Sequence, residues 1–287
     1  MIIEVYKLNA FTQSIEGGNP AGVVLGADEL SETQMQELAG IIGFSETAFV
    51  SASHKADYKV RFFTPSAEVD LCGHATIAVF SLLLQKGMLP GLEFTQETKA
   101  GVLKLRVDDN SIYMQQAMPQ YFEIIDKEEI LGCFGIDKCD LEDRLPIQVV
   151  STGLKDIFLP LKSVKSLQTL KPDMDKIEAA SKKFDAVGFH VFAITDDIDI
   201  TAVCRNFAPL YGIPEESATG TSNGALACYL YKYGVLAEGK EEAIFQQGIY
   251  MSKPSEIRAK LVISDDKLEE IWVGGEAVFI EKSMHNI

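Results

Sequence analysis

A chain of 287 residues that is 47% hydrophobic holds enough apolar material for one large core or two ordinary ones, and its length favours two domains. Its 42 Asp+Glu against 26 Lys+Arg give a formal net charge of −16, which repels the phosphate backbone of nucleic acids and anionic lipid headgroups. Neither is expected as a partner, so a small anionic substrate would have to be held by local devices such as helix N-termini and single arginines.

The N-terminal run MIIEVYKLNAF carries Glu4 and Lys7 inside its apolar pattern and lacks the basic region and small-residue cleavage site of a signal peptide. The longest charge-free apolar stretch, Leu71 to Gln85, is shorter than the roughly 20 residues that cross a bilayer. A cytoplasmic protein is the expectation. The five cysteines Cys72, Cys133, Cys139, Cys204 and Cys228 are odd in number and widely spaced, which suits free thiols in a reducing compartment. No metal is expected, since Cys133 and Cys139 lack the spacing of a zinc pair. No cofactor is expected either, because GVVLGADEL lacks the GxGxxG spacing and no GxxxxGK[ST] exists.

Runs bounded by turn residues predict short strands at Ile2–Ala10, Glu46–Ala52, Tyr58–Phe63, Val102–Val107, Ile112–Gln116, Ile147–Ser151, Val187–Ile194, Ala202–Phe207, Ile257–Ile263 and Ala277–Glu281. Ser31 with Gln34 three positions on forms a capping box that opens a helix to about Ile42, and Pro172-Asp173 opens another to about Phe184. Both are amphipathic and belong on the outside. Ala75–Leu84 is different: ATIAVFSLLL is apolar on every face, so that helix must be buried all round. A second such helix runs from about Thr221 to Tyr233. Gly87 and Gly234 then follow as residues suited to the left-handed conformation past a helix end.

The chain also repeats itself. RFFTP (Arg61 to Pro65) returns as RNFAP at an offset of 144 (Arg61 to Arg205), and LCGHATIAVFSLLLQKGML aligns with ATGTSNGALACYLYKYGVL at an offset of 147 (Leu71 to Ala218). GFSETAFV aligns with GFHVFAIT at an offset of 145 (Gly43 to Gly188), which sets Val191 opposite Glu46. Three blocks in one order predict two copies of an α+β unit, each wrapping strands around one buried helix. The expected domains are 1–117 and 118–279, with residues from about 280 to 287 returning to the first.

Each buried helix leaves its first N–H groups without intrahelical partners, at the positive end of its dipole. The residues there, Cys72-Gly73-His74-Ala75-Thr76 and Thr219-Gly220-Thr221-Ser222, are small and allow close approach of a ligand. Two anion sites serving a ligand between the halves are the functional reading. Local capping by Thr76, Thr221 and Ser222 is the alternative.

GNPAGVV (Gly18 to Val24), SETAFV (Ser45 to Val50), RFFTPSAEVDLCGHAT (Arg61 to Thr76) and EESATGTSNGAL (Glu215 to Leu226) resemble the signature blocks of the PhzF-like phenazine-biosynthesis family. The resemblance implies a diaminopimelate epimerase-like fold: two pseudo-symmetric α+β domains, each a strongly curved, mostly antiparallel, barrel-like sheet around a central helix. It also implies a homodimer and a cofactor-independent isomerase similar to trans-2,3-dihydro-3-hydroxyanthranilate isomerase. The family's acid/base carboxylate falls on Glu46 and its active-site histidine on His74. Its second motif, Glu-Asp-Pro-x-Thr-Gly-Ser, reads here Glu215-Glu216-Ser217-Ala218-Thr219-Gly220-Thr221, which puts Glu216 at the Asp position and Thr221 at the Ser position.

Glu46, His74 and Glu216 are thus the candidate catalytic residues, and Asn19, Gly73, Ala75, Thr219, Gly220 and Thr221 the candidate substrate-binding ones. Set in an apolar strand, Glu46 is expected to have its pKa raised by burial. His74 at a helix start is expected to be neutral, with Asp70 as a group that could orient it. Related epimerases use two opposed cysteines, but the partner of Cys72 here is Thr219, whose hydroxyl is far too weak an acid, so Cys72 is read as an apolar filler. A non-catalytic small-molecule binding protein on the same fold is the alternative function.

Overall fold

The computed structural model describes residues 1–236 and 241–287 and divides into two units, Met1–Gln115 with Gly274–Ile287, and Gln116–Val273. The first unit contains β1 (Ile2–Ala10), β2 (Asn19–Leu25), α1 (Glu32–Ile42), β3 (Glu46–Ser51), β4 (Tyr58–Phe63), β5 (Glu68–Val69), α2 (Gly73–Gln85), β6 (Glu93–Thr98), β7 (Gly101–Asp108) and β8 (Ser111–Gln115). The second contains β9 (Gln120–Ile124), α3 (Leu131–Phe134), β10 (Gln148–Ser151), β11 (Lys155–Leu161), α4 (Val164–Gln168), α5 (Met174–Lys183), β12 (Gly188–Ile194), β13 (Ala202–Ala208), β14 (Ile213–Glu216), α6 (Gly220–Lys232), β15 (Glu242–Gln247), β16 (Ser255–Ser264) and β17 (Lys267–Gly275). A last strand, β18 (Ala277–Asn286), pairs with β1 from Ala277 opposite Ala10 onward, so the returning segment starts at Gly274 and not at about residue 280.

In the first unit β2–β3 and β4–β6 are parallel, while β1–β2, β3–β4, β4–β5, β6–β7 and β7–β8 are antiparallel. The parallel β2–β3 pair needs a crossover, which α1 supplies. In the second unit β11–β12 and β13–β15 are parallel, and β9–β10, β10–β11, β12–β13, β13–β14 and β15–β16 are antiparallel. The strand expectations omit β2, β5, β6, β9, β11, β14, β15 and β17. β2 reads NPAGVVL, with Pro and Gly masking it, and β11 is buried on both faces and does not alternate.

Helix boundaries follow their chemistry. Ser31 caps α1 with a complete capping box to Gln34, and Asp173 caps α5 by accepting from the Lys176 N–H. His74 to Leu83 of α2 are buried without a break. Past its end Gly87 adopts φ 64°, its N–H bonds Leu84 O at 3.0 Å, and the Met88 N–H bonds Leu83 O at 2.9 Å. The end of α6 repeats this at Gly234, φ 69°, with bonds to Tyr231 O and from Val235 to Leu230 O. Among the described residues no helix is long and apolar enough to cross a membrane.

Strand alternation sorts the layers. Phe49 packs with Met35, Leu38 and Ala39 of α1, which turns Glu46, Ala48 and Val50 to the other face, the one that meets α2. In the second unit Phe189, Val191 and Ala193 pack with Ile177 and Ala180 of α5, and Gly188, His190 and Phe192 take the α6 face, where Phe192 meets the Tyr229 ring. The equivalence of Glu46 with Val191 therefore fails. Arg61 pairs with Phe49 and Arg205 with Val191, so with the two arginines matched Gly188 is the residue that takes the place of Glu46. The letters of GFSETAFV and GFHVFAIT align at an odd displacement from this register, which turns every side chain to the opposite face.

Candidate active site

Glu46 opens β3 beside Ala21 of β2 and projects toward the first turn of α2. There His74, 6% exposed, places Nε2 3.1 Å from Glu46 Oε2 and 3.4 Å from Ser45 Oγ, and Nδ1 3.4 Å from Cys72 Sγ. Asp70 is exposed, and the group beside Nδ1 is Cys72. Cys72 is thus no mere apolar filler. Local capping is not realised at this helix: Cys72 makes no side-chain cap bond, and the Thr76 hydroxyl donates to Cys72 O at 2.8 Å. A Cβ built on Gly73 would meet nothing within 4 Å among the described residues, so the space beside it is open. Ala75 and Asn19 are buried, Ala75 in the same turn and Asn19 at the start of β2.

The charges of this group run opposite to the sequence expectation. Burial is the largest single influence on Glu46 and pushes its carboxyl up, but contact with His74, then Ser45 and Cys72, outweighs it and holds the pKa below the ordinary 4.5. Burial also pushes His74 down, yet Cys72 and Glu46 together hold it well above its ordinary 6.5. The Cys72 thiol is itself pushed up by burial, which keeps it protonated at neutral pH and leaves Glu46 as the anion that retains the imidazolium proton. Weighed singly, each group is misjudged; their contact decides both.

One ligand atom each from Glu46, Cys72 and His74 all lie within 4.8 Å of one another, so the trio could also hold a divalent cation through mixed O, S and N donors. Sequence spacing conceals this, because Glu46 comes from another strand.

The other candidates gather in the second unit. Glu216 ends β14, Thr219 caps α6, and Gly220 and Thr221 begin its first turn. The Thr219 hydroxyl donates to Glu216 Oε2 at 2.9 Å. Gln247 Nε2 donates to Glu216 O at 2.8 Å and to Thr219 Oγ1 at 3.1 Å, and Gln247 Oε1 accepts from the Thr219 N–H at 3.3 Å. Self-capping fails here too, since Thr219 makes no side-chain cap bond and the Ser222 hydroxyl donates to buried Asp156. Sequence reasoning missed Asp156, His190, Asn206, Asn223 and Gln247 and read Ser222 only as part of the α6 start, although His190 in GFHVFAI and Asn206 in AVCRNFA signal themselves as polar residues within apolar strands.

The family described as PhzC-PhzF, phenazine biosynthesis-like protein, matches residues 8–283. An uncharacterized isomerase of Clostridium acetobutylicum is 36% identical over 97% of this chain and 96% of its own. The trans-2,3-dihydro-3-hydroxyanthranilate isomerase of Pseudomonas chlororaphis is 29% identical over 94% of this chain and 95% of its own. The crystal structure of a Bacillus anthracis PhzF-family phenazine biosynthesis protein matches with a TM-score of 0.91 and 33% identity over the whole of both chains. With the match spanning nearly every residue and the SETAFV and CGHAT blocks meeting at one buried ion pair, this chain belongs to the phenazine biosynthesis-like (PhzC-PhzF) family of isomerases.

Proposed function

We propose that this enzyme moves a proton, and with it a double bond, on a small unsaturated carboxylic acid, without a cofactor, and that Glu46 both takes and returns the proton. The observation that carries this reading is the Glu46–His74 pair at the start of α2, a carboxylate and an imidazolium at 3.1 Å. The base is already ionised, so it needs no activating partner. A C–H bond of the substrate breaks toward Glu46, and its electron pair enters the adjacent π system. The double bond shifts, and Glu46 returns the proton to the far carbon. His74 and the N–H groups at Gly73 and Ala75 stabilise the negative charge in transit, with Asn19 beside them as a substrate contact. In the second unit, Glu216 with Thr219, Gly220 and Thr221 is the group we assign to substrate binding.

We further infer that the two units are copies of one plan. Supporting this, the parallel pairings β2–β3 and β4–β6 recur as β11–β12 and β13–β15, and a buried helix that ends at a left-handed glycine lies between β4 and β6 and again between β13 and β15. The chemistry is one-sided all the same. A Cβ on Gly188 would lie 2.0 Å from Phe207 O, so no carboxylate can stand there. The register partner of Gly188, Asp156, does carry one, but it is 3% exposed and engaged by Ser222. A single base moves the proton across one face of the substrate. The resemblance implies a homodimer, and the sequence pattern of the N-terminus and the cysteines suits the cytoplasm.

The Pseudomonas relative's name supplies the trial substrate, trans-2,3-dihydro-3-hydroxyanthranilate. Substrate deuterated at the reacting carbon, turned over in ordinary water, should deliver label to the new carbon, more so if the site excludes water. Complete washout in a single turnover, or undiminished turnover by Glu46→Gln, would overturn the scheme.

A further inference from the structure

Behind Glu216 lies a run of polar side chains that neither the proposed chemistry nor the packing of an apolar core requires. We propose that Asp156, Ser222, Asn206, His190, Asn223 and Gln247 form one buried hydrogen-bond chain that fixes the orientation of Glu216 and Thr219, with His190 as the positioning residue at its centre. This rests on the reading of Glu216 and Thr219 as substrate-binding groups.

The chain has one consistent assignment of hydrogens, and it can be followed link by link. The Asn206 amide donates one hydrogen to Ser222 Oγ at 3.3 Å and the other to His190 Nδ1 at 3.2 Å. With Nδ1 occupied as an acceptor, the ring hydrogen sits on Nε2, which donates to Asn223 Oδ1 at 3.2 Å. The Asn223 amide donates to Gln247 Oε1 at 2.8 Å and to Thr219 O at 2.9 Å. The Gln247 amide passes the order on to Glu216 O and Thr219 Oγ1, and the Thr219 hydroxyl ends it on Glu216 Oε2. In the other direction the Ser222 hydroxyl ends on Asp156 Oδ2. Donors therefore run outward from Asn206 to a carboxylate at each end; turning the Asn223 or Gln247 amide over would set N–H against N–H, and turning Asn206 over would set its oxygen against the His190 Nδ1 lone pair.

Every internal link is buried: His190, Asn223 and Gln247 are wholly covered, and Asp156, Asn206 and Ser222 nearly so. In such surroundings an unmet donor or acceptor carries the full cost of its desolvation, so the network holds together or fails together. Burial drives His190 down to about 3, in keeping with an imidazole that stays neutral and serves as a fixed donor-acceptor spacer. It is not a proton relay. The links come from β11, β12, β13, β15 and α6, so the chain ties five elements of the second unit to the orientation of one carboxylate and one backbone amide.

Glutamine can accept and donate as the neutral ring does, whereas leucine can do neither, and the test uses this contrast. In His190→Leu, hydrogen exchange at the Thr219 amide, whose acceptor is Gln247 Oε1, should rise by about tenfold or more, while α5 amides such as Ile177 stay within about twofold of wild type. His190→Gln should restore the wild-type rate. With trans-2,3-dihydro-3-hydroxyanthranilate, His190→Leu should raise KM by more than it lowers kcat. Equal exchange in the Leu and Gln variants, or a rise spread over the whole unit, would overturn the proposal. Should His190→Leu fail to fold, imidazole nitrogen NMR of the unaltered protein decides: a neutral Nε2–H ring at pH 7 supports the chain, and an Nδ1–H ring or an imidazolium refutes it. The exchange and NMR results need no substrate, so they stand even if Glu216→Gln leaves KM unchanged, a result that would instead remove Glu216 from substrate binding.

Discussion

Glu46 Oε2 lies 3.1 Å from His74 Nε2, and with both groups largely withdrawn from water this contact holds the carboxyl down and, together with Cys72, holds the imidazole up. On the proposed scheme, a carboxylate beside a protonated imidazole is a base in its working form. Replacing Glu46 with Gln keeps the shape and removes the base. The Glu46→Gln protein should fold, bind anionic ligands within a few-fold of wild type, and lose at least about 10²-fold in kcat, the usual size of a general-base effect. Steady-state kinetics alongside calorimetric titration of ligand checks both halves of the statement.

The same pair sets the pH dependence. The acid limb of kcat/KM reports protonation of Glu46 and should fall below the ordinary carboxylate value of 4.5, and the basic limb reports loss of the His74 proton and should fall above 6.5. In His74→Gln the imidazolium charge is gone while an amide donor remains, so the acid limb should move up relative to wild type. A pH–rate profile of the two proteins measures the displacement, and an unmoved limb would mean that some other group titrates there.

Cys72 touches the imidazole but stays a thiol, so Cys72→Ala should keep most of the activity, and alkylating reagents should react slowly with the buried sulfur at neutral pH. The trio it forms with Glu46 and His74 leads to a second expectation. Zinc should inhibit by taking the proton's place on both catalytic groups, chelator should reverse that inhibition, and chelator alone should not lower activity. Cys72→Ala should weaken zinc inhibition by about tenfold or more, as loss of one of three protein ligands requires. Inhibition constants for the two proteins settle it.

Asp156 offers a stability measurement free of any substrate. Burial, opposed by Ser222, pushes its carboxyl up to about 6 from an ordinary 3.8. The folded state therefore holds the proton more tightly than the unfolded one, and the stability this contributes is complete below about 3.8 and lost as pH rises through about 6. By neutral pH the ionised group costs on the order of 3 kcal/mol at 1.36 kcal/mol per unit. Asp156→Asn keeps an acceptor for Ser222 and removes the charge, so its melting temperature should exceed that of wild type at pH 7 and converge with it below pH 4. A variant less stable at every pH would contradict this.

Much of the architecture was legible where a single local rule decides. Ser31 with Gln34, Asp173, and the all-apolar Ala75–Leu84 each announce a helix without help from the rest of the chain. The strands that escaped are those whose identity is settled by neighbours: β2 and β11 are interior partners of parallel pairs, and neither alternates. At the site, Glu46 and His74 could be named from SETAFV and CGHAT, but their charges could not, because proximity between residues 28 positions apart is a property of the fold. The repeat misled at Val191 for a related reason: similarity of letters carries no register, and only the Arg61–Phe49 and Arg205–Val191 pairings supply one.

Gly188 has a consequence for how such an enzyme can diverge. With a Cβ there lying 2.0 Å from the Phe207 carbonyl oxygen, no single codon change at that position adds a carboxylate without displacing the β13 backbone. A route from one-base transfer to two-base inversion would first have to move the β13 backbone, or recruit a carboxylate from another strand. On the proposed one-base scheme, random mutagenesis should therefore find variants with altered substrate preference far sooner than variants with inverted stereochemistry.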